Sequence, residues 1–233
     1  MANGEGHPWR GGDVDESTRR RHQLLELLAV FFTLFAGELL LYAAGYFDSA
    51  SGKYTIPILA ATAVRDIGFA LLAWVLLARH EAFDWRLPRT GGEWGKELGW
   101  GIVLFFVGNR IGWLIGMLVE ALNLDAGTPT ADALSDPAAL VIFCLLTPIV
   151  AIGEESLFRV YVQTRLTGIL RGQRVLPVVL GSVLFAAIHG YPLGAALVVW
   201  SLGLVLAISY QANGKIPRLV IAHTLWNLVA ALW

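Results

Sequence analysis

The residues of this chain best able to do chemistry are two adjacent carboxylates and a guanidinium, set in an apolar stretch: Ile152-Gly153-Glu154-Glu155-Ser156-Leu157-Phe158-Arg159. On a helix, Glu155 and Arg159 share one face. The Glu-before-Arg order suits an intrahelical ion pair, which low dielectric strengthens. Glu154 projects roughly 100° away from that counter-cation. Two carboxylates this close resist joint ionisation, so the one without a cation is suited to take up and release a proton, as a general base or acid does. Glu154 is the candidate catalyst and Glu155 its support. The bland alternative is that both glutamates merely tie helices together.

Two histidines fall in apolar segments, each with a partner one helical turn away: Phe185 precedes His189 by four residues, and Asn227 follows His223 by four. A lone buried histidine is ordinarily a hydrogen-bonded core residue, and a buried asparagine is ordinarily glue between helices. Beside Glu154 they acquire another meaning, because a carboxylate, two imidazoles and a carboxamide together fit the hydrolysis of an amide. In one version Glu154 and His189 hold and deprotonate a water while His223 and Asn227 donate to the developing oxyanion, each donor being worth about 2.7–4 kcal/mol. In the other, Glu154, His189 and His223 ligate a zinc ion that activates the water. The residues alone leave both open.

The elements that must position these groups are membrane spans. The chain is 56% hydrophobic and only 15% charged, with a mean hydropathy of +0.62; soluble domains run nearer 45–50% apolar and about 25% charged. Apolar blocks at about 24–45, 56–79, 97–124, 138–166, 175–190, 191–210 and 216–232 predict an all-α, polytopic bundle of seven transmembrane helices following a polar tail over residues 1–23. That leader is too extended and too acidic for a cleavable signal peptide. Pro57, Pro137, Pro177, Pro192 and Pro217 each fall in the first turn of a block, where a missing N–H costs nothing. Pro148 lies inside one, and should kink the fourth helix just before the glutamates.

Lys and Arg in the connecting segments sum to thirteen on one side and one, Lys53, on the other, which puts the N-terminus in the cytoplasm and the C-terminus outside or in a lumen. Measured from the cytoplasmic boundary, Glu154, His223 and His189 fall at about 18, 11 and 21 Å, close enough for tilted helices to bring them to one site. Glu38, Arg65, Asp66 and Arg110 form a second set of charges at membrane depth, read as a structural cluster that pairs Arg65 with Glu38 and Arg110 with Asp66, the alternative being a proton or ion path.

A net charge of −1 argues against a nucleic-acid partner. Cys144 cannot form an internal disulfide and reads as a small hydrophobe. Gly108, Gly112 and Gly116, at four-residue spacing, admit a closely packed helix, either from within the chain or as the seam of a homodimer.

Glu154-Glu155-x-x-x-Arg159, Phe185-x-x-x-His189 and His223-x-x-x-Asn227, in that order, resemble the CPBP (Abi) family of intramembrane proteases, which includes the type II CAAX prenyl endopeptidases. The resemblance covers about residues 138–230. It implies a glutamate-dependent endopeptidase acting on membrane-associated or lipidated proteins, in the plasma membrane of a prokaryote or the endoplasmic reticulum of a eukaryote. The family's catalytic glutamate maps onto Glu154, its helper histidine onto His189 and its oxyanion pair onto His223 and Asn227. Glu155 and Arg159 map onto the supporting ion pair, and Phe185 onto a packing residue. The resemblance favours a mechanism without metal, zinc being the alternative. HExxH, GxSG and GxGD motifs are lacking. The rival class is a non-enzymatic transporter or scaffold, against which stands the lack of inverted repeats.

Overall fold

The computed structural model describes residues 15–43, 55–80, 90–127, 134 and 136–232. Their regular structure is helical: α1 (Glu16–Ala43), α2 (Ile56–His80), α3 (Gly91–Ala121), α4 (Pro137–Glu155), a π-helical stretch (Ser156–Val162), α5 (Gln163–Ile169), α6 (Val175–Ala187), α7 (Leu193–Asn213) and α8 (Pro217–Leu232). Since α4, the π-helical stretch and α5 run on without a break, the described residues make seven rods, one for each apolar block of the sequence. Side chains such as Phe32, Val64, Trp113, Leu145 and Val175 face outward, as a bilayer requires and water does not. This is the fold of a polytopic helical membrane protein.

Four rods, Ile56–Leu77, Gly91–Ala121, Pro137–Ile169 and Leu193–Asn213, are long and apolar enough to cross a membrane. The block expected over 175–190 stops at Ala187, and its 13 residues reach about 20 Å. The 16 residues of α8 reach about 24 Å. Both are shorter than the roughly 30 Å hydrocarbon core, so among the described residues the seven-crossing orientation has the joint support of length and composition for four rods.

Local chemistry moves two boundaries outward from the apolar blocks. Helix α1 begins inside the expected tail, at Glu16, whose carboxylate pairs with Arg20 one turn on. Helix α3 begins at Gly91, because Thr90 accepts from the Glu93 N–H at 3.2 Å, half of a Thr-x-x-Glu capping box. In α4, Asp136 caps the N-terminus ahead of Pro137. Pro148 removes a ladder hydrogen bond one turn before the glutamates. Beside it the Thr147 hydroxyl donates to the Phe143 carbonyl at 2.8 Å, and the π-helical stretch follows.

Two close approaches lock the bundle around α4 and α8. A Cβ at Gly153 would collide with the main chain of Asp66, so α2 lies against α4 at the residue preceding Glu154. A Cβ at Gly108 would enter the ring of Trp226, and Gly112 packs against Val198 and Leu202 of α7, while Gly116 is open. Two of the three stripe glycines therefore serve packing within the chain. The buried core gathers Leu157, Phe158, Tyr161 and Phe185 with Phe31 and Leu77.

The second set of charges differs from expectation. Arg65 meets Asp66, its chain neighbour, at 3.0 Å, while Arg110 is exposed and sits 5.4 Å from the Trp113 ring instead of beside Asp66. The expected partner Glu38 lies outside the residues whose side chains are described.

Candidate active site

The site begins where α4 gives way to the π-helical stretch. With i→i+5 bonding, as from the Gln163 N–H to the Phe158 carbonyl, the turn widens, and every residue from Glu154 to Val162 is buried. Stretches of this kind recur at functional sites. Here a wide turn at membrane depth holds three charged side chains inside protein, where each needs a partner.

The partners are close. The Arg159 Nε lies 3.1 Å from the Glu155 Oε2, both groups being fully buried. The contact is ionic without hydrogen-bond alignment, and the Arg159 guanidinium lies 4.7 Å over the Phe185 ring, whose negative face adds to its stabilisation. The other oxygen of Glu155 accepts from the His223 Nδ1 at 2.9 Å. On the far edge of that imidazole, Nε2 faces the Glu154 Oε2 at 3.5 Å, an oxygen with no hydrogen bond among the described residues. His223 thus stands between the two carboxylates. Its Nδ1 is within hydrogen-bond distance of Glu155, while its Nε2 stands farther from Glu154.

His189 approaches from the end of α6. Its Nδ1 lies 2.7 Å from the Phe185 carbonyl, and since a carbonyl only accepts, Nδ1 carries the proton and Nε2 is left as an acceptor. Phe185 sits between the imidazoles edge-on, its ring centroid 4.9 Å from His189 and 5.9 Å from His223. One phenyl ring therefore sets the spacing of both histidines and backs Arg159.

Glu154, His189, His223 and Asn227 all line a cavity of about 200 Å³. Its remaining wall mixes polar and apolar side chains, with Leu59, Thr62 and Arg65 from α2, Thr147 from α4 and Tyr191 from the turn after α6. Sequence reasoning singled out Arg65 only as part of the second charge set and missed the other wall residues. Only the glycine before Glu154 offered a hint of the helix pressing against that point. Glu155, Arg159 and Phe185 lie behind the cavity wall as a buried support.

As placed, the donors do not fit a zinc centre: among the described residues no three His, Cys, Asp or Glu side chains converge to hold a metal ion. His223 is engaged by carboxylates on both edges.

Residues 136–229 match the family described as type II CAAX prenyl endopeptidase Rce1-like. Over these residues the chain is similar to that family. The match takes in Glu154, Glu155, Arg159, Phe185, His189, His223 and Asn227, and so the whole buried network. With four helices long and apolar enough to cross a membrane, the similarity accords with an integral membrane protein. Helix α2, which supplies the other wall of the cavity, lies outside the match. No curated protein and no solved structure matches the chain.

Proposed function

We propose that the protein is an intramembrane endopeptidase that cleaves peptide bonds of membrane-associated or lipidated proteins, using Glu154 as the base that activates water. The observation that carries this reading is the imidazole of His223 held between Glu154 and Glu155 on the wall of a cavity that His189 and Asn227 also line.

The reaction follows from the donors and acceptors. A water held by Glu154 and the Nε2 of His189 gives a proton to the Glu154 carboxylate as its oxygen bonds to the scissile carbonyl carbon. The carbonyl π electrons move to oxygen, and that oxyanion accepts hydrogen bonds from His223 and the Asn227 amide, donors that strengthen as charge develops. Collapse restores the carbonyl and breaks the C–N bond, and the leaving nitrogen takes the proton from Glu154. Glu155, itself paired with Arg159, keeps His223 oriented throughout, while Phe185 fixes the distance between the histidines.

The test is peptide-bond cleavage by the purified protein in lipid nanodiscs, with a quenched fluorescent farnesylated peptide as probe. Glu154→Ala and His189→Ala are expected to abolish cleavage while helix content and thermal midpoint stay near those of the parent protein. Turnover retained in either variant would remove the mechanism.

A further inference from the structure

Of the four side chains proposed to do the chemistry, three stand on helices: Glu154 on α4, and His223 and Asn227 on α8. His189 does not. It lies two residues beyond the end of α6, where its own N–H and that of Gly190 reach the carbonyls of Ala186 and Ala187 at 3.3 Å, longer than a typical backbone bond. The 2.7 Å contact of its Nδ1 with the Phe185 carbonyl fixes one edge of the ring. The tilt of the imidazole plane is then set by what packs against it.

Tyr191 packs against it. The two ring centroids are 5.2 Å apart with their planes 36° apart, within the range of attractive aromatic pairs, and Phe185 meets the same imidazole edge-on. The local sequence His189-Gly190-Tyr191-Pro192 explains how a residue two places on returns to the ring. Gly190 turns the chain at φ +63°, which glycine adopts without a Cβ clash. Pro192, at φ −54°, precedes α7 and confines the backbone of the residue before it to extended conformations. Two residues further, the Gly194 N–H donates to the Asp125 carbonyl at 2.9 Å, and a Cβ at Gly194 would collide with that carbonyl, so the far side of the turn is pinned against the chain beyond α3. Tyr191 also lines the cavity and is 39% exposed. A tyrosine so exposed in a membrane protein is ordinarily an anchor at the interface. An anchor needs no stacked partner, and Tyr191 has one in the imidazole proposed to hold the attacking water. We propose that Tyr191 is a positioning residue, whose ring holds the imidazole of His189 with Nε2 toward the cavity. This rests on the endopeptidase reading and adds to it a support for the one group that no helix carries.

The test reads the imidazole and the reaction separately, on full-length protein in lipid nanodiscs. Solid-state NMR of isotope-labelled histidine rings covers all five histidines, and the His189 signals are those lost in His189→Ala. The parent protein should show one His189 ring state, protonated at Nδ1. Tyr191→Leu keeps an apolar side chain and removes the stack. It should shift or split those signals and lower kcat on the quenched farnesylated peptide by at least about ten-fold, with KM within about two-fold. Tyr191→Phe keeps the ring and should preserve the signals and most of kcat. Gly190→Ala disfavours the positive φ while leaving the tyrosine in place, so it should act in the direction of Tyr191→Leu and carries the test if that variant fails to fold; Gly190→Asn, which tolerates the turn, should act less. His189 signals that Tyr191→Leu leaves unmoved overturn the inference, and beside a lowered thermal midpoint they make Tyr191 an interfacial anchor only. An unchanged kcat, where His189→Ala abolishes cleavage, overturns it too. So does a kcat that falls equally in Tyr191→Phe, which assigns the work to the hydroxyl. Cleavage that survives His189→Ala would instead sink the hydrolytic reading, and the ring signals would still decide whether Tyr191 holds the imidazole.

Discussion

Two of the clusters that bury a carboxylate against arginine among the described residues are built differently. Near the start of α8, Arg218 grips Glu97 of α3 with two aligned bonds of 2.7 and 2.8 Å, Lys215 adds a third contact at 3.2 Å, and Trp100 lies beneath the guanidinium. Every charge there has a partner. In the Glu154–Glu155–Arg159–His223 cluster, Arg159 is sealed with no aligned hydrogen bond, and an oxygen of Glu154 is left without one. Buried polar groups are normally satisfied. The contrast teaches that burial and charge alone do not mark a site. What marks it is incomplete satisfaction beside a cavity, where substrate and water supply what the protein withholds.

The sharpest way to break this contrast is to remove one carboxylate from each cluster. Glu154→Gln keeps the shape and removes the base, so kcat should fall by about 10²–10⁴-fold, the span of a lost general base, while the thermal midpoint barely moves. Glu97→Gln should do the reverse. With Arg218 and Lys215 left uncompensated, stability should drop by about 3–5 kcal/mol, read as a lowered midpoint in nanodiscs. Turnover per folded molecule should stay within about two-fold of the parent value. If Glu97→Gln removes activity from protein that is still folded, the two clusters are not the separate devices described here.

The same contrast explains what was legible in the sequence. Glu155 and Arg159, Phe185 and His189, and His223 and Asn227 each lie one helical turn apart, so spacing alone could pair them, and apolar block length alone yields seven rods. The grip of Arg218 on Glu97 spans 121 residues, and no local pattern encodes it. The pairing of Arg110 with Asp66 failed for a related reason: depth along a helix axis says nothing about which way a side chain faces, and Arg110 turns outward over Trp113. The early starts of α1 and α3 were written in Glu16 and Arg20 and in Thr90 and Glu93, polar signals that a search for apolar runs passes over.

Asn227 gives a finer probe within the cavity cluster. If its amide serves the oxyanion, Asn227→Ala should lower kcat by about 10²–10³-fold with little change in KM, since the bond matters only once charge has developed. An equal loss in binding of the uncleaved peptide would instead make Asn227 a substrate-binding group.

The smallest expected effect bears on how the water is activated. For Glu154, His189 and His223 to gather around zinc, the Nε2 of His223 would have to bind metal while its Nδ1 stays on Glu155, and any proton on that Nε2 would have to leave. Exhaustive chelation of the purified protein, checked by elemental analysis, should therefore change kcat/KM by less than about two-fold. A large loss reversed by zinc alone, and by no other divalent ion, would mean that His223 exchanges a carboxylate for a metal during turnover, and the incomplete satisfaction at Glu154 would then mark a ligand site in place of a base.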